Sequence, residues 1–391
     1  MQLFRFRRRF FDALICLALF AAVAALVIFP KDSVDAAAGG VRLCFNVIIP
    51  SLFPFFVLST LIVQLGIARY FGRLLEPIMR PLFNVGGACS TAFVLGFIGG
   101  YPVGAKTVIA LYENGNCSKV EAERLLSFCN NSGPAFIFGV VGAGVFSSST
   151  VGIMLYLAHT LASLLVGVVF RFWGRSEEKR GRSRLPEAQP KRFTIAFTDS
   201  IKSSFQTTLN ICGFVIFFTV FIKLLFLSGI LPLLATGIGT LFSPFGFDKV
   251  WAERLLTGII ELTSGVSSLA GAAGEFTRSM ALAAFMLGWA GLSIHCQVLS
   301  FIGDSGLSVR TYIYGKTLQG CISAVFAYFM AQIFVFRDSP AVYLAEQVKT
   351  LATVDFGTAL ITSVLSAVLL LLLFIIGARK SAIRRGKYIK K

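Results

Sequence analysis

Charge is scarce in this chain. Only 14% of its 391 residues are Asp, Glu, Lys or Arg, while 56% are hydrophobic and the mean hydropathy is +0.79. A soluble domain carries about a quarter charged residues, so the two or three soluble domains that length alone would suggest are excluded. Histidine is scarcer still, at two residues, and the eight cysteines are scattered without a CxxC pair. Neither zinc ligation nor a disulfide framework follows from that, because thiols within apolar runs behave as small hydrophobes. A phosphate-binding GxGxxG or GxxxxGK[ST] loop, an HExxH pair and a nucleophile elbow are also missing. An intramembrane enzyme needs a nucleophile and a base, and the sequence offers no such pair. The chain is therefore not read as an enzyme, and it implies no cofactor and no metal.

What charge there is leans one way, to a formal +17. The placement of the cations excludes nucleic acid as a partner. Half of the 36 Lys and Arg residues fall in three short polar segments: the start (Arg5, Arg7, Arg8, Arg9), a linker from Arg175 to Arg192, and a tail from Arg379 to Lys391. Cations gathered in short polar segments between apolar runs follow the positive-inside rule of membrane proteins. The first basic cluster and the apolar run after it resemble a signal peptide, but residues 10–29 are long enough to span a bilayer and no convincing cleavage site follows at once. An uncleaved first helix is expected.

Spanning candidates, mostly apolar and about 20 residues long, occupy residues 10–29, 43–65, 151–173, 208–227, 311–334 and 356–376. Between them lie two apolar regions cut by small and polar residues. The first is cut at Gly99-Gly100-Tyr101-Pro102-Val103-Gly104 and again at Asn130-Asn131-Ser132-Gly133-Pro134; the second at Glu261-Leu262-Thr263-Ser264-Gly265 and from Gly288 to Gln297. Gly and Pro release backbone groups from the helical ladder, and broken backbone at membrane depth survives only inside protein or along a wet cavity. The order of features repeats at an offset of about 160 residues: span, amphipathic stretch, broken segment, second broken segment, span. Reading each first break as a hairpin tip and each second break as an interrupted span gives an all-α polytopic membrane protein. It has about eight transmembrane helices plus two re-entrant hairpins in two inverted repeats. The parts are an N-terminal helix and loop (1–42), a first gate-like repeat (43–173), a basic cytoplasmic linker (174–205), a second repeat (206–335) and a C-terminal helix with a basic tail (336–391). Both termini and the linker are then cytoplasmic, and the nearly neutral segments 31–42 and 337–355 are loops on the other side.

Three runs carry a resemblance: Pro50-Ser51-Leu52-Phe53-Pro54-Phe55-Phe56, Gly100-Tyr101-Pro102-Val103-Gly104-Ala105-Lys106, and Glu123 through Pro134 with its Asn-Asn-Ser-Gly-Pro ending. They resemble the YlbJ-like family of sporulation integral membrane proteins. That family belongs with the nucleoside-recognition or gate-domain proteins, which are similar to concentrative nucleoside transporters. The resemblance covers roughly residues 40–335 and is weaker in the second half. It implies a bacterial membrane protein of spore formation, in the mother-cell-derived membrane around the forespore, that passes dipicolinate toward the forespore.

The candidate site residues come from this chain's own chemistry. Lys106 follows the first hairpin tip within an apolar stretch, where a cation is costly unless it meets an anion, water or carbonyls. It reads as a substrate carboxylate contact, or as a lysine that snorkels to the inner surface. Tyr101, in the turn itself, joins it. Asn130, Asn131 and Ser132 can cap free amides at the break, and the half-helix after Pro134 points a positive end at the membrane interior. Glu261 is the only carboxylate in its apolar run, beside Thr263 and Ser264; it could carry a proton, bind substrate or pair with Lys106. Ser293, His295 and Gln297 line the second break of the second half, whereas His159, in an intact span, reads as a packed core residue. These residues predict a secondary transporter of a small polar solute, an organic anion in preference to a neutral nucleoside. Coupling to protons or sodium ions and homo-oligomerisation stay open. The contrary reading, a non-transporting scaffold of spore assembly, would not need matched broken helices with polar tips.

Overall fold

The computed structural model describes residues 2–174, 192–270, 275–303 and 305–335. The chain starts with α1 (Gln2–Ile28), bends by 97° and continues as α2 (Pro30–Leu43). Segment 31–42 is therefore not the loop that was expected. Pro30 sits in the first helical turn, where its missing N–H costs nothing, and Ala36, Ala37 and Ala38 favour helix. Gly40 brings α2 close to a later helix: a methyl there would lie 3.1 Å from the Ile216 Cα. A wide π turn, Cys44–Ile48, leads into α3 (Ile49–Gln64), so the expected span 43–65 is divided among three pieces. The amphipathic stretch forms α4 (Ile67–Phe83).

The first interrupted region folds as a helical hairpin, α5 (Ser90–Ile98) and α6 (Val103–Glu113), with its turn at Gly99–Pro102. Next come α7 (Lys119–Phe128), opened by a capping box between Ser118 and Glu121, an unwound stretch, and a π-helix at Ala135–Val145. The intact span is α8 (Ser149–Phe170). Its outward face carries Leu157, Leu161 and Leu165, exposed and four residues apart, while His159 and Ser163 are buried on the other side. Apolar outside and polar inside is the arrangement a lipid-facing helix needs.

The second half repeats the order. The 35-residue α9 (Phe193–Leu227) packs along α2 and α3, and α10 (Ile230–Phe242) follows it. A second hairpin is made by α11 (Lys249–Ile260) and α12 (Leu262–Ser267), where Gly258 and Gly265 touch. Then α13 (Phe276–Trp289) and α14 (Gly291–Ile302) form a span interrupted at Ala290, and α15 (Val309–Val335) occupies the expected run 311–334. Among the described residues three helices are long and apolar enough to cross a membrane, Ser149–Phe170, Phe193–Leu227 and Phe276–Ile302, or up to five if each bent pair counts as one span. The expected span 356–376, the basic tail and most of the 174–205 linker lie outside the described residues.

Candidate functional site

Each hairpin tip is seated against the break that follows it, and glycine makes both seats. Gly100 has φ +70°, and a methyl on Gly133 would lie 3.1 Å from its Cα. Side chains on Gly96 and Gly104 would collide with the Cys129 carbonyl, so the two hairpin helices straddle the end of α7. In the second half Gly291 has φ +82°, and a methyl there would lie 2.9 Å from the Leu262 nitrogen. That region of backbone space is open to glycine at little cost.

The four breaks converge on one cleft of about 610 Å³, counting its open mouth. Six of the expected site residues line it: Tyr101, Ser132, Glu261, Thr263, Ser293 and Gln297. Apolar side chains of α3 and α9, among them Leu52, Phe55, Phe56 and Phe214, form the opposite wall. The Glu261 carboxylate caps α12, accepting from the Thr263 N–H at 3.0 Å and the Ser264 N–H at 2.6 Å. It thereby satisfies amides that the helix leaves open at its start. The hydroxyls of Ser132 and Ser293 are buried and, among the described residues, have no hydrogen-bond partner. Both serines belong to residues that line the cleft.

Five expected residues do not line the cleft. Lys106 is exposed, with its ammonium 4.6 Å from the centre of the Phe301 ring, so it pairs with neither Glu261 nor the cleft. One turn of α6 carries it past the hairpin tip onto the outer face. Ser264 points at Thr219 of α9, 3.3 Å away. Asn130, Asn131 and His295 are buried behind the cleft in a hydrogen-bonded layer.

That layer is organised by two residues of α15 that the sequence reading passed over. Lys316, fully buried, donates to the Tyr101 hydroxyl (2.9 Å), the Asn130 carbonyl (3.0 Å) and Gln319 Oε1 (2.8 Å). Gln319 Nε2 donates in turn to Asn131 Oδ1 at 2.7 Å. His159, read as a packed core residue, accepts the Ser132 N–H at 3.2 Å and so supports the break. Tyr312, one turn before Lys316, lies 2.9 Å from His295 Nδ1. Close packing permits this: Gly315 rests on Ser127 of α7, and Gly320 on Gly288 of α13. A signal was available in the sequence. Tyr312, Lys316, Gln319 and Ser323 recur at helical spacing, a polar stripe inside an otherwise apolar run.

Two broken helices, two hairpin tips and a central, largely apolar cleft with a few polar groups in its lining define an integral membrane protein with a transporter-like fold. CNTnw has the same fold: its inward-facing, substrate-bound structure superposes with a TM-score of 0.52 over 81% of this chain and 84% of that one, at 14% identity. A CNTnw variant in an intermediate state reaches 0.56 over 82% and 85%, also at 14% identity. The chain belongs to the Gate family, described as nucleoside recognition, whose model matches residues 45–175 and 208–305. Among its relatives is the sporulation integral membrane protein YlbJ of Bacillus subtilis (strain 168), 34% identical over 362 residues and 86% of each chain. An uncharacterised protein of Alkalihalophilus pseudofirmus is 29% identical over 156 residues, 39% of this chain and 33% of that one.

Proposed function

We propose that this protein carries a small polar solute across a bacterial membrane, with the cleft at the four breaks as its binding site. The observation that carries this reading is the convergence of both hairpin tips and both helix breaks on one cleft lined by two serines whose hydroxyls have no hydrogen-bond partner among the described residues. Paired broken segments at a repeat interface are where secondary transporters bind substrate. The accompanying topology is eight spans and two hairpins in inverted repeats, with both termini and the 174–192 linker cytoplasmic. The name of the Bacillus relative supports a place in sporulation; the mother-cell-derived membrane around the forespore is the location proposed here.

The favoured solute is a small planar organic anion such as dipicolinate. Lys106 no longer supports that choice; Lys316 does. Its buried ammonium, against the Tyr101 that lines the cleft, has no carboxylate partner among the described residues. The amino end of the helix after Pro134 adds positive potential beside Ser132. Phe55, Phe56 and Phe214 supply flat apolar surface for a ring. A nucleoside is the second reading, favoured by the Glu261 carboxylate in the lining and by the description of the family.

Uptake into proteoliposomes of the purified protein tests both. Dipicolinate uptake that exceeds uridine uptake and is lost in Ser293→Leu is the expected result. Uridine uptake without dipicolinate uptake would establish the second reading, and uptake of neither would remove transport of both solute classes.

A further inference from the structure

The three acceptors around Lys316 have a common character. They are the hydroxyl of a hairpin-tip tyrosine, a backbone carbonyl at a helix break, and a side-chain amide oxygen, at 2.9, 3.0 and 2.8 Å. An ammonium has three hydrogens to donate, and here each has one oxygen. None of the three oxygens carries a formal charge. Backbone carbonyls freed at an unwound helix are among the groups with which secondary transporters hold a monovalent coupling ion, and the Asn130 carbonyl is of that kind. The cage is also fixed in orientation, because Gln319 is held by Asn131, whose own Nδ2 donates to the Phe128 carbonyl (2.8 Å) and to Ser163 Oγ (3.2 Å).

We propose that the Lys316 ammonium stands permanently where an exchangeable monovalent cation would otherwise be required, so that the site assembles, and the solute moves, without sodium. A tethered cation ties the first hairpin tip (Tyr101) and the first break (Asn130) to α15 in every state in which the cage is closed. A free ion would have to be dehydrated and captured in each cycle. The solute half of this inference rests on the transport reading above; the cage half does not.

The test is thermal unfolding of the purified full-length protein in sodium chloride and in choline chloride at equal ionic strength. The wild-type protein should unfold at the same temperature in both. A saturable stabilisation by sodium over choline would overturn the proposal without any variant being made. Lys316→Ala empties the cage; its unfolding temperature should fall by several degrees and should be partly restored by ammonium or methylammonium chloride, but not by choline. A Lys316→Ala protein indifferent to small cations would also overturn the proposal. If that variant does not accumulate, Gln319→Leu keeps the lysine and removes one acceptor; it should be less stable in both salts alike, and a sodium-dependent rescue would count against the inference. In proteoliposomes, replacing sodium by choline should change dipicolinate uptake by less than about twofold. Absence of all uptake would count against the transport reading alone, while the unfolding data would still decide the cage.

Discussion

The Tyr101 hydroxyl donates to the Leu287 carbonyl at 2.8 Å, joining the tip of the first hairpin to α13 in the second half of the chain. The same oxygen accepts from Lys316. Tyr101→Phe keeps the ring in the cleft wall and removes both bonds. It leaves two buried groups short of a partner, so it should cost about 1–3 kcal/mol of stability. Chemical unfolding in detergent measures this, and a variant as stable as the parent would mean that burying the hydroxyl costs what its bonds return.

Ser132 and Ser293 are different in kind. Their buried hydroxyls bond to nothing described, so Ser132→Ala and Ser293→Ala should leave stability within about 0.5 kcal/mol or raise it slightly. If the hydroxyls wait for solute, each variant should lower uptake roughly tenfold, the equivalent of about 1.4 kcal/mol. Initial uptake rates at several solute concentrations would show the loss. A fall in protein level that matches the fall in uptake would make the serines structural instead.

Lys106 should now be nearly silent. Its ammonium is exposed and rests on Phe301, an exposed cation–π contact of about 0.5–1 kcal/mol. Lys106→Gln should leave the apparent affinity for dipicolinate within about twofold. A selective loss of anion uptake would return Lys106 to the solute's path.

The two glycine seats can be tested against a control within the same protein. Gly100→Ala and Gly291→Ala place a methyl on left-handed backbone and press it toward Gly133 and Leu262. Each should destabilise by about 1–2 kcal/mol from backbone strain alone. Gly213, in α9, has no described atom within 4 Å of an added methyl, so Gly213→Ala should be neutral or stabilising by up to about 1 kcal/mol. Melting temperatures of the three variants, measured side by side, give the comparison.

Sidedness follows from the basic segments. In a background with the eight native cysteines replaced, single cysteines in the 174–192 linker should react with a membrane-impermeant maleimide only after the cytoplasmic face is opened. Cysteines placed in 338–355 should react in intact cells. Labelling of the linker from outside would reverse the topology and with it the inverted-repeat reading.

The breaks were legible in the sequence because Gly, Pro and clustered polar residues interrupt apolar runs at four places, and those interruptions are what fold into the cleft. Helix α2 was not legible as helix. Its charged and small residues read as a loop, and its order comes from packing on α9 and from Pro30 at its start. Lys316 and Gln319 were missed because they do not break their helix. A single lysine in a long apolar run attracts no attention until Tyr312, Gln319 and Ser323 are seen to share its face. Lys106 drew attention for the opposite reason: it lies four residues after the turn, yet α6 rotates it away from the cleft.

The Asn130 carbonyl and Lys316 are 186 residues apart in the chain, and Tyr101 and Lys316 are 215 apart. During synthesis, the first half therefore enters the bilayer long before its polar break has the ammonium it bonds to in the finished protein. Until α15 is inserted, that break must be sheltered by water, lipid headgroups or the insertion machinery. Chains truncated ahead of α15 should accordingly be substrates for membrane quality-control proteases, and the last described helix acts as the latch that completes the first half.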